Sequence, residues 1–277
     1  MTARRFRRCT LELADGRYDE AVGTLLDLGV TGWQERLPVL TFWVSDDVWE
    51  ARPIQDGLLA LRDLGRLYCE AEAGGWEEHW RAFHHPVTVG QVTVRPPWSA
   101  PVGGTLDVVI EIGMAFGTGS HVTTRQCIDA LAGLPRGGVL DAGTGTGVLA
   151  LAAMRLGFAP VFAFDNDPEA LVQAEENARR NGLRPLLFGA DATDPAVDLP
   201  AADILVANIA LKPIVALGAR YAGALAAGEA HPHWAVLAGL LQDQVAEAEA
   251  AFAGYRRCAE DTEGEWTCLV LEAPDGR

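Results

Sequence analysis

Three glycines alternate with small residues at one point of the chain, directly after an apolar run that ends in an acidic residue. The stretch passes from Val139 and Asp141 to Gly143, Gly145 and Gly147. Glycine is needed where the backbone takes a positive φ or where a ligand lies against bare main chain. The apolar run that follows predicts a helix, whose first N–H groups and positive dipole end suit a carboxylate or phosphate. The order therefore predicts a buried strand, a tight ligand-binding turn and a helix.

The spacing of these glycines distinguishes two classes of cofactor. A dinucleotide site requires G-x-G-x-x-G/A, whereas here Val148 fills the third position and Gly147 falls one residue early. The G-x-G-x-G form with Asp141 before it resembles motif I of class I S-adenosylmethionine-dependent methyltransferases. This resemblance makes S-adenosyl-L-methionine the expected cofactor, with Gly143 and Gly145 against it.

Later strands each deliver a polar side chain at the end where open α/β sheets bind ligands. Asp165 lies about 20 residues beyond the glycines, where a carboxylate accepts the two ribose hydroxyls. The neighbouring Asp167 is predicted to cap the next helix instead. Asp191 follows a third strand, and there it either meets the adenine amino group or caps a loop. Asn208 ends a fourth strand, which also places it at the binding edge.

The elements that position these residues can be read from periodicity and from turn residues. The first part of the chain predicts a small α+β sandwich, and a double glycine at 74–75 marks its end. A short aromatic helix at 76–83 is predicted beyond the break. The predicted elements before and after it are strands at 4–13, 39–44, 67–71, 92–94 and 108–112 and helices at 18–28 and 54–64.

Composition and charge limit the function classes. The 277 residues carry a net charge of -16, which disfavours direct binding of nucleic acid but suits a basic protein substrate. No apolar run is long enough to span a membrane. The five cysteines form no C-x-x-C pair, so we expect reduced thiols in a cytoplasmic protein. His79, His84 and His85 are more typical of packing in a linker than of a metal site, and no metal is expected.

The segment 114–125 resembles the AFGTG-x-H-x-TTR signature of the bacterial methyltransferases of ribosomal protein L11. Residues 141–147, 165–168, 206–208 and 263–266 follow in the order of that family. The motif match covers the chain from about residue 76 onward. It implies a ferredoxin-like α+β domain that recognises the substrate (1–72), a linker with a short helix (73–95) and a seven-stranded Rossmann-like catalytic domain (96–277).

The resemblance also implies site residues and a reaction. Thr124, Gly143, Asp165 and Asn208 would contact S-adenosylmethionine. Methyl groups would pass to lysine side-chain or N-terminal amines of L11. The need for a neutral amine leads to a separate hypothesis: Phe116 forms part of an apolar wall that favours the neutral form, and Asn208 helps to orient the amine or the cofactor. A monomer is expected.

Other functions remain open at this point. The acceptor could be another protein, a small-molecule amine or a nucleic-acid base. A nicotinamide-dependent dehydrogenase is disfavoured by Val148. A module that binds the cofactor without catalysis is a further alternative, which only a competent amine pocket would exclude.

Overall fold

The computed structural model describes residues 6–14, 17–28, 30, 33–45, 49, 51–71, 85–111 and 121–274. The chain divides into two compact units, Met1–Phe83 (unit 1) and His84–Arg277 (unit 2). The predicted helix at 76–83, Phe116 and most of the AFGTG signature lie outside the described residues.

Unit 1 pairs its strands in the order β2-β3-β1-β4, with antiparallel neighbours throughout. This is the βαββαβ arrangement of a ferredoxin-like fold. The second helix buries Ile54, Leu58 and Leu61 at helical spacing against the sheet, which explains why its position could be predicted. The elements are β1 Phe6–Leu13, α1 Tyr18–Asp27, β2 Trp33–Arg36, β3 Val39–Ser45, α2 Arg52–Leu64 and β4 Gly65–Ala71.

The expectation that every cysteine is reduced is wrong for one pair. Cys9 on β1 and Cys69 on β4 face each other directly across the antiparallel ladder and form a disulfide. Their side chains meet because opposite residues of an antiparallel pair point to the same face. The remaining thiols are free, with Cys127 and Cys268 buried and Cys258 exposed.

Unit 2 begins with a small sheet of described strands in the order β5-β6-β7. Arg95 and Asp107 join β6 to β7 through two hydrogen bonds of 2.7 Å. The strand predicted at 108–112 lies instead at Leu106–Val109, and Val87–Val89 was not predicted at all. The bounds of the three strands are β5 Val87–Val89, β6 Val92–Arg95 and β7 Leu106–Val109.

The larger sheet of unit 2 has seven described strands in the order β10-β9-β8-β11-β12-β14-β13, which confirms the predicted Rossmann-like sheet. Strands β8 to β12 are parallel neighbours, while β14 runs antiparallel between β12 and β13. The elements are α3 Val122–Gly133, β8 Val139–Ala142, α4 Val148–Arg155, β9 Val161–Asp165, α5 Pro168–Asn181, β10 Leu186–Gly189, β11 Ile204–Asn208, α6 Leu211–Ala227, β12 Trp234–Leu241, a 3₁₀ turn Gln242–Gln244, α7 Val245–Ala251, β13 Arg256–Glu263 and β14 Trp266–Glu272.

The chain order reverses at the centre of this sheet. From β8 it moves outward to β9 and β10, then returns to place β11 on the other side of β8. Such a switch point leaves a crevice outside the carboxyl ends of the strands, where open α/β sheets bind their ligands. The glycines after β8, the last residues of β9 and β11 (Asp165 and Asn208), and Asp191 after β10 all lie at this edge.

Candidate functional site

The glycine turn, residues 143–147, connects the buried strand β8 to the apolar helix α4. Gly143, Gly145 and Gly147 have φ values of +73°, +53° and +83°, a region that residues with a Cβ adopt only with strain. The N–H groups of Gly143 and Thr144 both donate to the carbonyl of Phe164, each at 2.9 Å. The turn is thus tied to the end of β9.

Asp141 lies beneath this turn with 1% of its surface exposed. Its Oδ2 accepts hydrogen bonds from the Thr144 hydroxyl at 2.7 Å and the Ala150 N–H at 3.1 Å. Its Oδ1 is buried and has no hydrogen-bond partner among the described residues. Burial raises the pKa of Asp141 to about 7, and the charge of Asp165 adds to the rise, although the two hydrogen bonds oppose it.

Asp165 ends β9 and is held by two backbone donors. Its Oδ2 accepts from the N–H of Gly145 at 2.9 Å, and its Oδ1 accepts from the N–H of Asp167 at 3.0 Å. Each carboxylate oxygen has a further lone pair, so the side chain retains acceptor capacity for hydroxyl groups. Asp167 accepts from the N–H of Glu169 at 2.8 Å and caps α5. The cap confirms the role predicted for Asp167, and ribose binding by Asp165 stays a prediction.

Asp191 follows β10, where the N–H of Ala190 donates to the carbonyl of Asp165 at 3.0 Å. This bond brings the two strand ends together. The Oδ1 of Asp191 accepts from both the N–H and the hydroxyl of Thr193 at 2.8 Å, and these bonds lower the pKa of Asp191. The loop cap is therefore present, whereas contact with adenine remains a prediction.

Thr124 lies in the first turn of α3, a helix that packs on β12 and β14. The residue is fully buried, and its Oγ1 has no hydrogen-bond partner within the described parts of the chain. The neighbouring Thr123 hydroxyl, in contrast, shares a hydrogen bond of 2.8 Å with His121 Nδ1. A buried hydroxyl without a partner requires an explanation, and a bound ligand would provide one.

Asn208 ends β11 and is half-buried. A Cβ built on Gly239 would lie 3.2 Å from its Oδ1 and 2.8 Å from the carbonyl of Ile209. A Cβ on Gly143 would lie only 2.2 Å from Ile209 Cγ2. The chain at Asn208 and Ile209 thus passes between Gly143 and Gly239, both of which have a positive φ. The side chain of Ile209 packs against the glycine turn at Gly143.

The structure therefore assembles most of the predicted site. Gly145 is bonded to Asp165, the Asp191 loop adjoins Asp165, and Ile209 joins Asn208 to Gly143. Two buried polar atoms without partners among the described residues, Asp141 Oδ1 and Thr124 Oγ1, fit a polar ligand at this edge of the sheet. Among the described residues, no group of three or more histidine, cysteine, aspartate or glutamate side chains could hold a metal ion. No helix in that part of the chain is long and apolar enough to cross a membrane.

Sequence reasoning missed one buried polar residue at this site, Asn177 on α5. Its Nδ2 donates to the carbonyl of Thr146 in the glycine turn at 2.9 Å. The only signal in the sequence was an asparagine within a helix, where this residue type is unfavourable.

Comparisons with known proteins agree with this architecture. The family described as "Ribosomal protein L11 methyltransferase (PrmA)" matches residues 55–274. The ribosomal protein L11 methyltransferase of Thermus thermophilus is 44% identical over 200 residues, which cover 70% of this chain and 76% of that protein. That of Geobacter metallireducens is 36% identical over 250 residues, which cover 87% of this chain and 78% of that protein.

A solved structure extends the likeness to three dimensions. The crystal structure of ribosomal protein L11 methylase from Lactobacillus delbrueckii subsp. bulgaricus matches with a TM-score of 0.59 at 26% identity. The match covers 69% of this chain and 99% of that one. The chain therefore belongs to the ribosomal protein L11 methyltransferase family, and it is an S-adenosylmethionine-dependent methyltransferase.

Proposed function

We propose that the protein transfers methyl groups from S-adenosylmethionine to lysine side-chain or N-terminal amines of ribosomal protein L11. Family membership supports this acceptor, since the matching family, the curated relatives and one similar solved structure are named for it. The net charge of -16 supports it too, because an acidic enzyme attracts a basic protein substrate. The single observation that carries the site assignment is the hydrogen bond from Gly145 to Asp165.

The cofactor residues follow from their positions at the sheet edge. The glycine turn would hold the cofactor against bare main chain, and Asp165 would accept the ribose hydroxyls beside it. The buried Thr124 hydroxyl would gain a partner, and Asp191 would face the adenine amino group. When bound, the cofactor supplies a methyl group that its sulfonium already activates.

The remaining task for the protein is to present a neutral amine. A lysine amine has a pKa of about 10.4, so removing its proton at pH 7 costs roughly 4–5 kcal/mol. An apolar pocket lowers this cost because it disfavours the charged form. Asn208 would orient the amine or the cofactor by hydrogen bonding, and Phe116 would supply part of the apolar wall.

We assign substrate recognition to the N-terminal domain, residues 1–72, and catalysis to the domain at 96–277. Of the linker predicted between them (73–95), the part from Val87 onward contributes β5 and β6 to the small sheet of unit 2. We further propose that the protein acts as a cytoplasmic monomer without direct contact to nucleic acid. Light scattering during size-exclusion chromatography tests the monomer, and a dimer mass at assay concentrations would contradict it.

The direct test is incubation with methyl-labelled S-adenosylmethionine and recombinant L11, followed by intact mass and peptide mapping. Stepwise gains of methylene mass on amines of L11 are the expected result. L11 with acetylated amines and the Asp165→Ala enzyme serve as matched controls. Clear cofactor binding without any gain on L11 would reject this acceptor and direct the search to another protein, a small amine or a nucleic-acid base.

A further inference from the structure

Three amide side chains form a row along one face of α5. Gln173, Asn177 and Asn181 are spaced four residues apart, so they project from the same side of the helix. All three bond to the segment that runs from Val109, the last residue of β7, to Glu111. We call these residues the amide row.

Among the described residues, the side chains of the outer members, Gln173 and Asn181, bond only to that segment and to their own helix. Asn181 accepts from the N–H of Val109 at 2.8 Å and donates to the carbonyl of the same residue at 2.7 Å. Asn181 also donates to the Asn177 carbonyl at 2.8 Å. Gln173 donates to the carbonyl of Glu111 at 3.2 Å. These amides hold the segment as a neighbouring strand would.

Asn177 differs because it joins two segments. It is fully buried, and its Oδ1 accepts from the N–H of Glu111 at 2.8 Å while its Nδ2 donates to the carbonyl of Thr146 at 2.9 Å. Thr146 belongs to the glycine turn. Helix α5 approaches this turn closely, since a Cβ on Gly147 would lie 3.2 Å from the Cβ of Ala174.

The glycine turn needs such support. Glycines have the widest conformational freedom of any residue, so a turn that contains three of them loses much entropy when it is fixed for a ligand. A hydrogen bond from a buried side chain fixes the turn before the ligand arrives, and preorganisation of this kind improves affinity. Asp165 fixes the N–H of Gly145, and Asn177 fixes the carbonyl of the next residue.

We propose that Asn177 is a positioning residue for cofactor binding, which couples the glycine turn to the Glu111 segment. The inference rests on the proposed binding of S-adenosylmethionine at the glycine turn, but not on L11 as the acceptor. Asn181 provides a matched control, because it has the same side chain on the same helix and makes the same kind of bonds without reaching the turn.

Asn177→Asp and Asn181→Asp test this pair. Aspartate keeps the acceptor but loses the donor, so in Asn177→Asp the Thr146 carbonyl faces an oxygen. Affinity for S-adenosylhomocysteine is measured by calorimetry, and Tm is measured without ligand. We expect Asn177→Asp to bind S-adenosylhomocysteine at least tenfold more weakly than the wild type. Asn181→Asp should bind it less than threefold more weakly, although both variants lose a similar amount of Tm. Equal losses of affinity, or unchanged affinity in folded Asn177→Asp, would overturn the proposal.

A second measurement uses the unmodified protein, in case the buried charge prevents folding. Hydrogen exchange of single amides is followed by NMR with and without S-adenosylhomocysteine. Ligand binding should slow exchange at Glu111, which Asn177 holds, at least tenfold more than exchange at Val109, which Asn181 holds. Equal protection of the two amides would reject the coupling. L11 is absent from both experiments, so a failure to methylate L11 would leave their outcome unaffected.

Discussion

The carboxylate of Asp165 accepts a hydrogen bond of 2.9 Å from the backbone N–H of Gly145, which lies 20 residues earlier in the chain. A side chain at the end of one strand thus fixes the turn that follows its neighbour. Because both groups are at the switch point of the sheet, the bond joins the two parts of the proposed cofactor site.

Replacement of Asp165 by alanine should weaken cofactor binding. Loss of a charged acceptor for the ribose hydroxyls should lower the affinity roughly 10- to 100-fold. Calorimetry with S-adenosylhomocysteine measures this decrease. Asp167→Ala is the matched control, because it removes the cap of α5 and should cost about 1 kcal/mol of stability with little effect on affinity. Equal affinity in the Asp165 variant and the wild type would remove Asp165 from the site.

Asn208→Ala should reduce turnover while the fold persists. If Asn208 orients the reacting groups, its loss should lower kcat by roughly 100-fold. The residue is half-buried at the end of a strand, so the free energy of unfolding should change by less than about 1 kcal/mol. Steady-state kinetics and urea unfolding measure the two effects, and normal turnover would exclude the proposed role.

The contact between Gly143 and Ile209 predicts a rescue. Gly143→Ala places a Cβ 2.2 Å from Ile209 Cγ2 at a φ of +73°, and should destabilise the protein by about 2–4 kcal/mol. Ile209→Ala removes the clashing methyl group. The free energy of unfolding of the double variant should therefore fall by less than the sum of the two single decreases, with a difference of at least about 0.5 kcal/mol. Strict additivity in urea unfolding would contradict this packing.

Asp141 predicts a specific dependence of stability on pH. The folded protein retains the carboxyl proton up to a pKa of about 7, whereas the unfolded chain loses it near pH 4. The folded state therefore binds more protons between these values, and this group's contribution to stability falls as pH rises from about 4 to 7. At about 1.4 kcal/mol per unit, the fall amounts to at most about 4 kcal/mol.

Asp141→Asn isolates this effect, because the amide keeps an acceptor for Thr144 and Ala150 and does not titrate. Urea unfolding of both proteins is measured at several values between pH 4 and 8. The stability of the wild type relative to Asp141→Asn should decrease across this range, while contributions from other groups cancel. A constant difference would show that the pKa of Asp141 is not raised.

The disulfide can be tested by counting thiols without reductant. Cys258 is exposed and should react in the folded protein, whereas Cys127 and Cys268 are buried and should react only after denaturation. The Cys9–Cys69 pair should react only after reduction. Reaction of all five cysteines in denaturant alone would restore the interpretation that every thiol is reduced.

The parts of the fold that could be predicted are those whose signal is local. The glycines within residues 143–147 directly indicate positions of positive φ, and Asp167 before Pro168 indicates the start of a helix. Strand β2, Trp33–Arg36, gave no such signal because its last two residues are exposed charges. Pairing with β3 stabilises it, and this pairing cannot be read from four residues.

The contacts that sequence reasoning missed, one at the site and one in unit 1, join distant residues. Asn177 bonds to residues 31 and 66 positions away, and Cys9 meets Cys69 across 60 positions. Which side chains meet depends on how α5 lies on β7 and on the register of β1 with β4. No periodicity within a single element contains that information.

The antiparallel strand β14 has a consequence for synthesis of the protein on the ribosome. It lies between β12 and β13, and β13 pairs with no other described strand. Until residues 266–272 have left the ribosome, β12 therefore keeps an open edge, and β13 has no place in the sheet. Open edges invite pairing with other chains, so the nascent catalytic unit is exposed to aggregation until nearly all of the described chain has been made.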